Sequence, residues 1–216
     1  KFPFVAYKKP NTSSGNVIFQ KDSKEYFTND YSENGFVFAP FNSDEKALFI
    51  YRLLLEQTFQ ITLPVLAEKK LYYSDFIENI DQFNELVYEK HIQDGEGLGG
   101  KMYKAMKHSF GEWADKVILI GSDCFELNSG IIEEAFKALE ENDYVLGPAK
   151  DGGYYLIGMK ELNLEIFQNK EWSTENVFLD TLLDIKNQNK SHYLLPTLSD
   201  VDLEEDLGDL RGYLKD

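Results

Sequence analysis

The run Val117-Ile-Leu-Ile120, closed by Gly121-Ser122-Asp123, constrains the fold more than any other stretch of the chain. Consecutive apolar residues without alternation suit a strand covered on both faces, as in the interior of a parallel sheet. Such a strand needs helices above and below it, and the flanking sequence supplies them. A helical period starts at Ser43, a capping residue followed by Asp44 and Glu45, with Ala47, Ile50, Leu54 and Leu55 on one face. Further helices are predicted at 102–110, at 130–140 behind a Ser129 cap, and around 174–186. Strands are predicted at 61–66 with 70–73, at 144–146, at 154–157 and at 192–195, and 76–88 reads as a polar helix or loop. The alternation predicts an α/β fold with a mostly parallel central sheet flanked by helices.

Residues 1–41 have a different rhythm. Apolar bursts at 2–7, 16–19, 25–28 and 35–39 are separated by turn residues such as Pro10-Asn11-Thr12-Ser13-Ser14-Gly15. This predicts a β-rich segment, an antiparallel meander, ahead of an α/β domain over 42–216. The formal net charge of −16, from 38 acidic and 22 basic residues, repels polynucleotide backbones and argues against nucleic acid as a partner. No apolar stretch approaches the roughly 18 residues of a membrane span. A single cysteine, Cys124, excludes an intrachain disulfide. With no leader-like N-terminus, the expectation is a soluble, cytoplasmic chain. Oligomeric state is not legible.

Four segments carry chemistry. The first is Gly121-Ser122-Asp123, which sets a carboxylate at the carboxyl end of the apolar strand, where open α/β sheets bind ligands. Asp123 is there either a turn cap or a ligand for Mg²⁺ or Mn²⁺. The second is Gly147-Pro-Ala-Lys-Asp-Gly-Gly-Tyr-Tyr155. Its Gly152-Gly153 pair permits positive φ and close approach of a ligand, and Asp151 precedes the pair in a tight turn; the alternative is an ordinary hairpin. The third, Gln93-Asp-Gly-Glu-Gly-Leu-Gly-Gly100 with Lys101 behind it, opens a helix with glycines. It could offer backbone N–H groups to an anion or be a plain loop. The fourth is Asp200-Val-Asp202, whose alternate residues face one way in extended chain. The two aspartates are either a carboxylate pair for a metal or acids at a helix start. His91, His108 and His192 are scattered without metal-ligand spacing, and Cys124 in an acidic setting is a poor nucleophile.

Taken with Trp172-Ser-Thr174, these segments resemble, in order, the bacterial family of selenodomain-associated transferases 1, glycosyltransferase-like domains of unknown function. The string Gly147-Pro-Ala-Lys-Asp-Gly-Gly-Tyr-Tyr155 is the most specific match. More distantly they are similar to phospholactate guanylyltransferases. The resemblance covers about 44–216 and implies a glycosyltransferase-A-like fold. It further implies a nucleotide sugar or nucleoside triphosphate as substrate, and Mg²⁺ or Mn²⁺ as cofactor. It makes Asp123, with Asp202 or Asp200, the metal carboxylates, and Asp151 the best catalytic base. Gly152, Gly153, Tyr154, Gly97, Gly99, Lys101 and Trp172 would lie along the substrate. Two departures stand out: the family's Lys-x-Arg-Leu phosphate loop has no counterpart before Asp44, and Phe125 follows Asp123-Cys124 where proline is usual. Phe4-Val-Ala-Tyr-Lys-Lys-Pro-Asn11 and Gly35-Phe-Val-Phe-Ala-Pro-Phe41 weakly resemble an N-terminal stretch of isochorismate synthases, whose chemistry needs a far larger domain. The expected function is a metal-dependent glycosyl- or nucleotidyltransferase. The alternatives are an inactive relative serving as a binding or scaffolding module, and a metal-independent sugar- or metabolite-binding domain.

Overall fold

A computed structural model describes residues 44–78, 80–201 and 204–214, together with the strand residues Val17–Phe19 and Tyr26–Thr28. The last two, β1 and β2, pair antiparallel with Val17 opposite Thr28 and Phe19 opposite Tyr26. The strands expected at 2–7 and 35–39 lie outside the described residues.

From Asp44 onward helices and strands alternate: α1 (Asp44–Thr62), β3 (Lys69–Tyr73), β4 (Tyr88–Ile92), α2 (Gly97–Gly111), β5 (Val117–Ile120), α3 (Ser129–Glu141), β6 (Tyr144–Pro148), β7 (Tyr154–Met159), α4 (Val177–Asn187) and β8 (His192–Leu194). Short 3₁₀ segments occupy Glu165–Phe167 and Glu204–Leu214, the second kinked at Gly208. β3 and β4 form a parallel pair. The larger sheet has the order β5-β7-β6-β8, with β7 antiparallel to both neighbours and β6 parallel to β8. The α/β class is the expected one, and the pairing within it is mixed. The reason is the short turn 149–153, which cannot make a crossover and so returns β7 antiparallel to β6. Because β5, β6 and β8 all point the same way, their carboxyl ends share one edge of the sheet.

Alternation across β6 and β7 divides the core. Val145 and Leu156 face α3 residues Ile132, Ala135 and Leu139. Leu146, Ile157 and Met159 face Met102 and Met106 of α2, Ile166, and Ile185 of α4. Full burial of each such side chain stabilises by roughly 2 kcal/mol. A third cluster joins Ile50 and Leu54 of α1 to Val201, Leu207 and Leu210. It fixes the C-terminal stretch across the first helix.

Three local expectations change. Residues 61–66 are not a strand: α1 runs to Thr62, and the hydroxyls of Thr58 and Thr62 donate to the carbonyls of Leu54 and Thr58 at 2.9 and 2.6 Å. Back-bonding of this kind lets β-branched residues remain in a helix. Lys69 Nζ then donates to the Val65 and Ala67 carbonyls beyond the helix end. α3 is capped by Asn128, whose side chain accepts from the Ile131 N–H at 3.2 Å, and Ser129 is already inside the helix. β5 is half-buried along its length and, among the described residues, pairs on one side only. No helix among the described residues is long and apolar enough to cross a membrane.

Candidate active site

The site is assembled where β5, β6 and β8 end. After β5 the chain turns through Gly121, and an added Cβ there would stand 2.5 Å from Asp123 Oδ1. The glycine therefore leaves room for the Asp123 carboxylate to fold back over the strand end. The segment after β8 comes alongside: Leu198 N–H donates to the Pro148 carbonyl at 3.1 Å, Lys150 N–H to the Leu198 carbonyl at 3.0 Å, and Val201 N–H to the Asp123 carbonyl at 2.9 Å. Ser199 N–H donates to Glu126 Oε2 at 2.8 Å. These bonds place Asp200 beside Asp123.

The third carboxylate comes from the β6–β7 turn. Asp151 Oδ1 accepts from the Gly153 N–H at 2.8 Å, which fixes the side chain over the turn. Gly152 sits at φ +93°, and a Cβ there would overlap the Glu175 carbonyl ahead of α4. Its own carbonyl accepts from Phe178 N–H at 2.9 Å. A glycine is required on both counts. The tip of the hairpin is thus seated on the start of α4 and not free to swing.

Asp123 records the crowding electrostatically. Burial, then the neighbouring Asp200 and Asp151 charges, push its carboxyl up from 3.8 to about 6. Oxygen donors are the type that a hard divalent ion such as Mg²⁺ or Mn²⁺ takes, although the ligand oxygens of these three acids do not all come within 4.8 Å of one another. Asp202, the other expected metal residue, lies outside the described residues.

The expected substrate-side residues are tied to this centre through packing. α2 starts at Gly97, which has φ +61°, and Gly99 is covered so closely by the Trp172 indole that a Cβ would stand 2.5 Å from Trp172 Cζ2. Trp172 in turn meets Tyr154 edge-to-face, with ring centroids 6.5 Å apart. Tyr154 follows Gly153 directly, so the opening of α2, Trp172 and the Asp151 turn form one connected wall. Burial pushes the Tyr154 hydroxyl well above its ordinary range, with the nearby Thr181 hydroxyl an opposing influence. Lys101 is half-buried in the first turn of α2. Lys104 and Lys150 form exposed ion pairs with Asp94 at 2.7 Å and Glu126 at 3.8 Å.

Sequence reasoning missed two features. The docking of 198–201 onto Asp123 through Glu126 has no motif, since it rests on backbone bonds between distant segments. Two of the three histidines also come together: His91 and His108 lie ring to ring at 4.6 Å, on the side of α2 that faces β4.

The fold is that of a nucleotide-diphospho-sugar-transferase-like α/β protein. The family described as "Uncharacterized protein conserved in bacteria (DUF2064)" matches residues 63–174, and the chain belongs to it. A crystal structure from Desulfovibrio desulfuricans G20, described as a "putative nucleotide-diphospho-sugar transferase", superposes with a TM-score of 0.71 at 27% identity, covering 80% of this chain and 78% of that one. The glycosyltransferase-A-like fold expected from the sequence is the fold of this chain. The 2-phospho-L-lactate guanylyltransferase of Methanocaldococcus sp. (strain FS406-22) is 30% identical over 131 residues, 59% of this chain and 54% of the relative. That of Methanocaldococcus jannaschii is 29% identical over the same length, 59% and 55%. The chain spans about half the length of the curated relatives it matches.

Proposed function

We propose that this chain is a metal-dependent transferase that takes a nucleotide sugar or a nucleoside triphosphate. The observation that carries this reading is the convergence of Asp123, Asp151 and Asp200 at the shared carboxyl edge of β5, β6 and β8. The similarity to 2-phospho-L-lactate guanylyltransferases and to a nucleotide-diphospho-sugar transferase supports the same substrate class. Asp123 and Asp200, with Asp202, would hold Mg²⁺ or Mn²⁺. When bound, the ion supplies charge neutralisation for a diphosphate leaving group.

The chain's own residues then do the following. Gly97 and Gly99 open α2 with backbone N–H groups that can receive phosphate oxygens, helped by the half-buried Lys101. Trp172 and Tyr154 hold α2 against the Asp151 turn. Gly152 and Gly153 let the substrate approach the backbone. Asp151, oriented by the Gly153 N–H, is placed to accept a proton from an attacking hydroxyl.

One observation favours a second reading, a binding or scaffolding module. Lys104 and Lys150, the lysines near the site that could replace a basic phosphate loop, are engaged by Asp94 and Glu126.

The test is thermal stability with nucleoside triphosphates, diphosphates and nucleotide sugars, each with and without Mg²⁺ or Mn²⁺. A ligand at about 100 times its dissociation constant adds roughly 2.7 kcal/mol. A metal-dependent shift that disappears in Asp123→Asn is the expected result. No shift with any nucleotide would put the binding-module reading first, and a shift that survives the substitution would remove Asp123 from the site.

A further inference from the structure

A polar layer lies between β3, β4 and α2, apart from the aspartate cluster. Register puts Lys70 opposite Glu89 and Tyr72 opposite His91, all on one face of the pair. The end of α2 covers this face with His108 and, just past its last turn, Glu112. A sheet face beneath a helix is ordinarily apolar. Here the layer between sheet and helix holds two imidazoles, two carboxylates, an ammonium and a phenol.

Tyr72 Oη stands 3.3 Å from the Ala105 carbonyl and 3.0 Å from His108 Nδ1, and His108 Nε2 stands 3.6 Å from Glu112 Oε1. A proton on Nδ1, donated to a Tyr72 hydroxyl that itself donates to the carbonyl, frees Nε2 as a ligand. His91 Nε2 is buried, 2.9 Å from Glu89 Oε1, yet makes no hydrogen bond among the described residues. Tyr72 stacks on the His91 ring at 5.2 Å. One donor atom each from Glu89, His91 and His108 falls within 4.8 Å of the other two.

We propose that Glu89, His91 and His108 form a binding site for a transition-metal dication of the Zn²⁺ type, which fastens the last turns of α2 to β4. Two imidazole nitrogens and a carboxylate oxygen are the donor set this ion takes, with Glu112 or water for the fourth position. Bonds of about 2.0–2.2 Å in a tetrahedron place donors roughly 3.4 Å apart. Tyr72 gives His108 the outer hydrogen bond that a metal-bound imidazole characteristically makes. Lys70 engages Glu89 through Oε2 and Glu112 at 2.5 Å, leaving Glu89 Oε1 for the ion. Two carboxylates against one ammonium keep the layer net negative. A surface groove of about 640 Å³, bordered by Lys70, Glu89, Glu112 and Trp113, opens on the carboxylate side of this layer. The all-oxygen aspartate cluster selects Mg²⁺ or Mn²⁺, so the two sites are distinguishable by ion chemistry.

The experiment is a calorimetric titration of the chelator-treated full chain with ZnCl₂ in excess Mg²⁺. The expected result is one Zn²⁺ per chain, bound at least about tenfold more weakly in His91→Gln and His108→Gln and unchanged in Asp123→Asn. Wild-type affinity in both histidine variants, no binding at all, or loss in Asp123→Asn instead would each overturn the proposal. Co²⁺ provides a readout that needs no variant. Intense visible absorption marks tetrahedral coordination with histidine nitrogen and supports the site, whereas a pale octahedral spectrum refutes it.

Discussion

Replacing Asp123 with asparagine should raise the stability of the ligand-free protein while removing its response to metal. In the folded chain the carboxyl is pushed from 3.8 to about 6, first by burial and then by Asp200 and Asp151. That difference is about 3 kcal/mol against the charged form. Asparagine keeps the shape and loses the charge, but it also gives up a carboxylate's stronger hydrogen bonding, so a net gain of about 1–2 kcal/mol is expected. For a chain of this length it corresponds to a melting temperature higher by roughly 2–8 °C. The sign can be checked against pH. A carboxyl with a raised folded value is protonated in both states below about 3.8, where variant and wild type should melt together. Wild-type stability is lost as pH rises from there through about 6, so the advantage of the variant should open across that window and level off above it. Differential scanning calorimetry at pH 4, 5, 6 and 7.5 in chelator gives the comparison. Addition of Mg²⁺ or Mn²⁺ should then stabilise the wild type and leave the variant unmoved. A variant less stable than wild type at pH 7.5, or a gain of equal size at pH 4, would refute the account of three converging carboxylates.

Gly152→Ala combines a positive-φ residue with a Cβ placed on the Glu175 carbonyl. It should destabilise by about 3 kcal/mol, read as a fall in melting temperature of roughly 6–12 °C, and an effect below about 1 kcal/mol would mean that the hairpin tip is not seated on α4. Asn128→Ala removes the N-cap of α3 and should cost about 1 kcal/mol in urea unfolding, whereas Ser129→Ala should cost only a few tenths. The reverse order would restore Ser129 as the cap.

What could be read ahead of the structure depended on whether a residue's role is set by its neighbours in sequence. Asp123 stands at the end of an apolar strand, and Asp151 stands before two glycines; both placements follow from a few adjacent residues. β4 is hidden because Tyr-Glu-Lys-His-Ile has no apolar alternation: Glu89 pairs with Lys70 of β3, and Lys90 with Asp81 and the Glu78 carbonyl in the loop ahead of the strand. Asn128 was passed over because asparagine and serine both cap, and only the accepted Ile131 N–H distinguishes them. The layer of Glu89, His91 and His108 needs the parallel register of β3 with β4 and the length of α2 together. The meeting of Asp200 with Asp123 is likewise long-range, carried by backbone bonds that any sequence could make.

The solitary thiol follows from the same docking. Cys124 is buried, and its Sγ donates to the Ser199 carbonyl at 3.5 Å beneath the strap that carries Asp200. Burial pushes this thiol up to about 12, so it is nearly inert while the strap is closed. The chain has no other cysteine. The rate at which a thiol reagent labels the protein is therefore a clock for the lifting of residues 199–201. Ligands that clamp the aspartates together should slow that clock without any need to watch the chemistry itself.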